Sequence, residues 1–221
     1  MITVKINGEE RQYPQGATYE DVANDYQKEY DNLIALAARD GKIRELFKKL
    51  TRDCEITFFT LKDDVGNKTY VRSATMLFLK AVFDVFGRET VQNCRVEFAI
   101  GNGSYISPKG KINATEENAA KIRNRMRELV EAKTPFLKKS YSLDNAMELF
   151  RREGMKDKEK LFRYRRGSFV NIYEMDGYYD YYYGYMLPNA GYVKWFDVIA
   201  YEDGFMLLLP DKKDPTHVKP F

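Results

Sequence analysis

Histidine is almost missing: His217 is the only one in 221 residues. That absence excludes the Ser-His-Asp triad, His-based zinc sites and most general-base chemistry at neutral pH. Cysteine is scarce as well. Cys54 and Cys94 cannot make a disulfide scaffold, and neither has a histidine to activate it, so they read as buried thiols. No apolar run reaches the roughly 18 residues of a membrane span. Met1-Ile2-Thr3-Val4-Lys5-Ile6 alternates like a strand and lacks the basic start and apolar core of a signal peptide. The expected location is cytoplasmic. A Walker A loop is absent too. Gly110-Lys111 and Gly41-Lys42 are both followed by isoleucine rather than Ser or Thr.

Apolar residues make up 44% and charged residues 31%, which allows an ordinary folded core. The net charge of +3 hides a block. Residues 101–170 hold 17 Lys and Arg against 9 Asp and Glu, whereas residues 1–65 hold 10 against 13.

Turn and cap signals divide the first part. Asn7-Gly8 and Asp40-Gly41 predict hairpins, since both residue pairs tolerate positive φ. Thr18 predicts a helix start, with Tyr19, Val22, Ala23 and Tyr26 at helical spacing. Strands are expected over 2–6, 9–13, 33–38, 43–47 and 56–61. The order ββαβββ predicts a β-grasp. Residues 63–67 read as a linker, followed by a helix over 69–86 that is apolar round most of its circumference and stopped by Gly87. Strands at 95–99 and 104–107 flank a hairpin at Gly101-Asn102-Gly103. Thr115 and Ser142 cap two further helices, and strands are expected over 169–173, 178–183, 192–200 and 205–209. The fold class is therefore α+β in two domains, 1–65 and 66–209, with 210–221 a linker-like tail that suggests a piece of a longer polypeptide.

Two features carry candidate binding chemistry. Arg163, Arg165 and Arg166 are interleaved with Phe162 and Tyr164, the mixture that phosphate contact plus base stacking requires. Lys121 and Arg125 offer a second basic face on a helix. Eight tyrosines lie between Tyr173 and Tyr192; most are expected to pack, with Tyr182 kept as a binding candidate beside Met186.

The stretch Ile2-Thr3-Val4-Lys5-Ile6-Asn7-Gly8 with Tyr13-Pro14-Gln15-Gly16-Ala17-Thr18 resembles a TGS domain, the β-grasp module of threonyl-tRNA synthetases. The order from Tyr70-Val71-Arg72-Ser73 through Val96-Glu97-Phe98 and Gly103-Ser104-Tyr105 to Gly184-Tyr185-Met186-Leu187-Pro188-Asn189 resembles the editing domain that follows it there. In that family a helix carries two histidines four apart, facing a Cys-x-Gly-x-His segment. The resemblance places Arg72 and Met76, and Tyr182, Gly184 and Met186, at those positions. It therefore implies the scaffold without catalytic residues or a metal, and a converted pocket at Arg72, Met76, Tyr182 and Met186. Arg163 and Arg165 are placed near it by the family alone.

A TGS domain followed by a histidine-free editing-like domain, with the run Tyr-Tyr-Gly-Tyr-Met-Leu-Pro, is similar to the N-terminal region of bacterial uridine-kinase-like nucleoside kinases. That resemblance implies an accessory module recognising RNA (tRNA-like) or a nucleotide. Its kinase domain lies outside this chain, and ATP and Mg belong to that domain. Two alternatives remain: a metal-independent aminoacyl-tRNA deacylase using Asp176 or Asp180, and a docking or oligomerisation domain without ligand.

Overall fold

The computed structural model describes residues 1–165 and 167–221; the expectation at Arg166 lies outside the described residues. The chain opens with β1 (Ile2–Ile6) and β2 (Glu9–Tyr13), joined through Asn7 and Gly8 at φ 52° and 89°. Helix α1 (Tyr19–Tyr26) starts in a capping box, Thr18 accepting from the Asp21 N–H while Asp21 reaches back to the Thr18 N–H. A 3₁₀ turn (Gln27–Glu29) leads to β3 (Ile34–Arg39), β4 (Lys42–Glu45) and β5 (Cys54–Thr60). The strands order β2-β1-β5-β3-β4, with β1 parallel to β5 and the other pairs antiparallel. Tyr19, Val22, Ala23 and Tyr26 bury one face of α1 against Val4, Ala37, Ile56 and Phe58 of the sheet. This is the expected β-grasp.

The 63–67 stretch is not a linker. Helix α2 (Asp64–Phe86) begins at once, because the Asp63 carboxylate holds the Thr60 N–H (2.7 Å) and hydroxyl (3.1 Å). Gly66 then lets the first turn lie on the strand end, where a Cβ would overlap the Thr60 carbonyl. Helix α2 is the hub of the larger unit. It buries thirteen residues, eight of them in an apolar cluster that also takes Ala35, Leu36 and Leu61 from the β-grasp unit. Gly87, at φ 83°, ends it as expected.

Next come α3 (Arg88–Asn93), β6 (Arg95–Ile100), β7 (Gly103–Ser107), α4 (Glu116–Glu131), β8 (Leu137–Ser142), α5 (Leu143–Arg152) and α6 (Lys156–Arg163). The chain closes with β9 (Phe169–Met175), β10 (Tyr178–Asp180), a 3₁₀ turn (Ala190–Tyr192), β11 (Asp197–Tyr201) and β12 (Gly204–Leu208). Two antiparallel sheets form, β10-β9-β8 and β11-β12-β7-β6. The fold is α+β, a small β-grasp followed by a larger α+β unit. No helix among the described residues is long and apolar enough to cross a membrane.

Three local expectations are corrected. The strand over 178–183 stops at Asp180, because the Asp180 carboxylate takes the Tyr181 N–H at 2.6 Å and turns the chain. The strand over 192–200 begins only at Asp197. Residues 210–221 are not bare: Pro210 and Pro215 are buried, and Phe221 meets Tyr201 edge-on at 5.1 Å.

Candidate functional site

Helical spacing puts Arg72 and Met76 one turn apart on α2, and the segment after β10 passes over that turn. The Arg72 Nε–H donates to the Tyr185 carbonyl at 3.0 Å, and its Nη2 reaches the Thr69 hydroxyl at 3.3 Å. The guanidinium fills the space above Gly184. A Cβ at 184 would stand 2.7 Å from Arg72 Cζ, and the backbone there is at φ 133°. The next residue along α2, Ser73, is fully buried; its hydroxyl accepts from the Leu187 N–H at 2.9 Å and lies 3.9 Å from Met186 Sδ. Met76 and Met186 are both wholly enclosed in the core.

The resemblance implied a metal at these positions in its family, and the residues here do not fit one. A guanidinium brings positive charge and no lone pair, and a thioether is a poor ligand for zinc. The Tyr182 hydroxyl is pushed well above the usual range, by burial first and by the Asp180 carboxylate second, so it is no phenolate. Among the described residues no three His, Cys, Asp or Glu side chains converge.

Next to Tyr182 lies a cavity of about 280 Å³. Its walls include Thr75 and Leu79 of α2, Cys94 and Arg95 at the start of β6, Lys158 of α6, and Tyr178, Asp180 and Tyr182. Asp180 is 3% exposed and heavily engaged. Its carboxylate pairs with Lys158 and accepts from the Tyr178 hydroxyl (3.2 Å) and the Tyr181 N–H. The Tyr182 hydroxyl is buried next to the same carboxylate without a well-formed hydrogen bond to it. Burial pushes the Cys94 thiol up to about 12, which leaves it no useful thiolate at neutral pH. Asp176 sits elsewhere, held by Lys80 Nζ at 3.2 Å.

The basic candidates divide. Arg165 does not line the cavity but stacks on Tyr181, which does: its guanidinium lies over Phe162 (5.2 Å) and Tyr181 (5.5 Å) and donates to the Tyr181 hydroxyl at 2.8 Å. Arg163 is 61% exposed and 3.9 Å from the Glu159 carboxylate, so its charge faces solvent. Lys121 and Arg125 are spent within the protein. Lys121 pairs with Glu117 at 2.7 Å, and Arg125 with Asp84 (2.8 Å) and Glu128 (2.7 Å). Reasoning from sequence missed Lys158 and Arg95 at the cavity. Lys158 lies in a run of alternating charges, and nothing in its spacing marks it.

No known family model matches the chain. It is 29% identical over 204 residues to the threonine–tRNA ligase of Thermotoga maritima, covering 90% of this chain and 30% of that protein. The ligase of Maricaulis maris is 28% identical over 193 residues (86% and 30%), and that of Porphyromonas gingivalis 23% over 201 (88% and 30%). The chain thus spans about 30% of the length of these curated relatives. Coverage of this extent runs across both units and fits a likeness to the TGS and editing-like region of threonyl-tRNA synthetases.

Proposed function

We propose that this chain is a non-catalytic recognition module for RNA or a nucleotide, built as a β-grasp unit (1–65) and an editing-like unit (66–209). One observation carries the reading. The turn of α2 and the segment that faces it are kept, yet Arg72 occupies the space between them with a side chain that can bind an anion and cannot hold a divalent cation. Arg72 does not line the neighbouring cavity, which Tyr181 and Tyr182 wall; Arg165 lies over Tyr181 there, and Arg163 is open to phosphate. The similarity to threonine–tRNA ligases makes a tRNA the first ligand to try. No cofactor is required by these residues.

Anisotropy of labelled tRNA against duplex DNA over a salt series tests the reading. tRNA binding that outlasts moderate salt while DNA binding is lost supports it. Arg163→Gln and Arg165→Gln should each lower the salt slope by about 1 for a lost phosphate contact. Equal binding of both nucleic acids that vanishes with salt, or none, overturns the RNA half. A uridine-kinase-like parent is a further proposal, resting on a TGS-like unit followed by a histidine-free editing-like unit with the Tyr182-Tyr183-Gly184-Tyr185-Met186-Leu187-Pro188 run. A Walker A sequence later in the same gene would support it, and a synthetase catalytic domain there would remove it.

A further inference from the structure

The β-grasp unit has its own cavity, of about 420 Å³, away from the α2 cleft. Its wall is Tyr19, Arg39, Arg44, Lys48, Lys49 and Thr51: four cations and no carboxylate. Strand register builds it. Ala37 pairs with Arg44 across β3 and β4, so Arg44 stands on the helix-bearing face of the sheet; Arg39, two residues beyond Ala37, stands on the same face. The loop after β4 brings the lysines over the start of α1, where the Lys48 carbonyl accepts from the Tyr19 N–H at 3.0 Å.

These charges are unspent. None of the four has a carboxylate within 4.0 Å among the described residues. Arg39 donates to the Thr51 hydroxyl (2.9 Å) and lies beside the Tyr19 hydroxyl, and Arg44 donates to the Ile43 carbonyl (3.2 Å), none of them a charged partner. The second observation is Tyr19. It is 1% exposed, yet its O–H has no acceptor; the only side chain that approaches the phenol oxygen as a partner is Arg39, which can only donate to it. A buried hydroxyl left unpaired costs stability, and this one lies against the Arg39 and Arg44 guanidinium groups, which offer it no acceptor. An acceptor between the arginines would satisfy the hydroxyl and both forks together.

We infer that this cavity binds a di- or triphosphate group, with Arg39 and Arg44 clamping phosphate oxygens, the Tyr19 hydroxyl donating to one of them, and Lys48 and Lys49 neutralising the outer end. The charge count selects the ligand. At about −1.5 to −2 for a terminal phosphate, one phosphate cannot balance four cations, while a compact chain of two or three can. Arginine forks match tetrahedral phosphate oxygens better than they match dispersed carboxylates. The proposal goes beyond the cleft reading, because the site lies in the other unit and shares no residue with the cleft.

Calorimetric titration of the full chain with inorganic tripolyphosphate tests it, with sulfate as the comparison. Tripolyphosphate should bind at least tenfold more tightly than sulfate. Arg39→Gln with Arg44→Gln should weaken it at least tenfold, and Lys121→Gln, outside the cavity, should leave it unchanged. Tyr19→Phe is the decisive variant. It removes a buried hydroxyl whose proton has no acceptor, so the free protein should melt at the same or a higher temperature while tripolyphosphate binds several-fold more weakly. Absence of binding, or binding unchanged in the double variant and in Tyr19→Phe, overturns the site. A nucleoside triphosphate and a 5′-triphosphorylated RNA identify the source: whichever binds more tightly than tripolyphosphate carries the group. tRNA binding by the double variant separates failure here from failure of the cleft reading.

Discussion

The Tyr173 hydroxyl, on β9 of the larger unit, donates to the carboxylate of Glu45, the last residue of β4 in the β-grasp unit. Glu45 is 3% exposed and also accepts from Lys138 Nζ at 2.9 Å and the Met186 N–H at 3.2 Å. Every donor to this carboxylate comes from the other unit. It fastens the two units at the point where the 184–186 segment meets α2, so the geometry of the cleft depends on a residue of the β-grasp.

Glu45→Ala should therefore act on both units. It strands a lysine and a backbone N–H, leaves the Tyr173 hydroxyl only the Gly184 carbonyl at 2.9 Å, and loss of one partner from a buried charged pair costs roughly 3–5 kcal/mol. Tyr173→Phe removes one donor and leaves the other two, at about 1–2 kcal/mol. Urea unfolding followed by circular dichroism measures both. Equal, sub-kcal effects would mean that the carboxylate is not a clasp.

Gly66 gives a second test. A linker glycine tolerates alanine, but here a methyl group would meet the Thr60 carbonyl at the β5–α2 junction. Gly66→Ala should destabilise by about 1–3 kcal/mol, the cost of forced overpacking, despite the better helix propensity of alanine. A neutral or raised melting temperature would restore the linker reading.

The β-grasp half was legible because its signals are local. Asn7-Gly8 and Asp40-Gly41 do take positive φ, and the Thr18 cap forms. What escaped has no local signal. Strand β8 reads Leu-Lys-Lys-Ser-Tyr-Ser, an edge strand without an apolar face, and α6 buries only Phe162 among its charges. The polyphosphate cavity escaped for a different reason. Arg39 and Arg44 meet through cross-strand register, inside a segment whose overall charge is negative. Tyr173 and Tyr178 are core residues, as most of the tyrosine run was expected to be, while Tyr183 is 87% exposed.

The buried tyrosines set an alkaline limit. Burial is the main cause that pushes Tyr70, Tyr173 and Tyr178 above 10.0, with a neighbouring carboxylate adding to the last two. The unfolded chain loses these protons near pH 10 and the folded chain keeps them, so their contribution is full below pH 10 and falls as pH rises beyond it. Each takes away about 1.4 kcal/mol per pH unit. The three together should unfold the protein cooperatively between pH 10 and 12. Tyrosinate absorbance should rise in step with loss of circular dichroism, and a broad rise at pH 10 with the fold intact would contradict the burial.

Arg72 and Gly184 should be coupled. Gly184→Ala alone drives a methyl group into the guanidinium and strains a backbone at φ 133°, so it should destabilise by about 1–3 kcal/mol. Arg72→Ala alone gives up the hydrogen bond to the Tyr185 carbonyl and opens the cleft. In the double variant the clash is gone and only the backbone strain remains. The double loss should then be smaller than the sum of the single losses by about 1 kcal/mol or more, since residues in contact couple by 0.5–3 kcal/mol. Strict additivity in urea unfolding would show that the guanidinium does not stand over Gly184. The cleft reading would lose its central contact with it, because an arginine free of that position has no reason to face a ligand there.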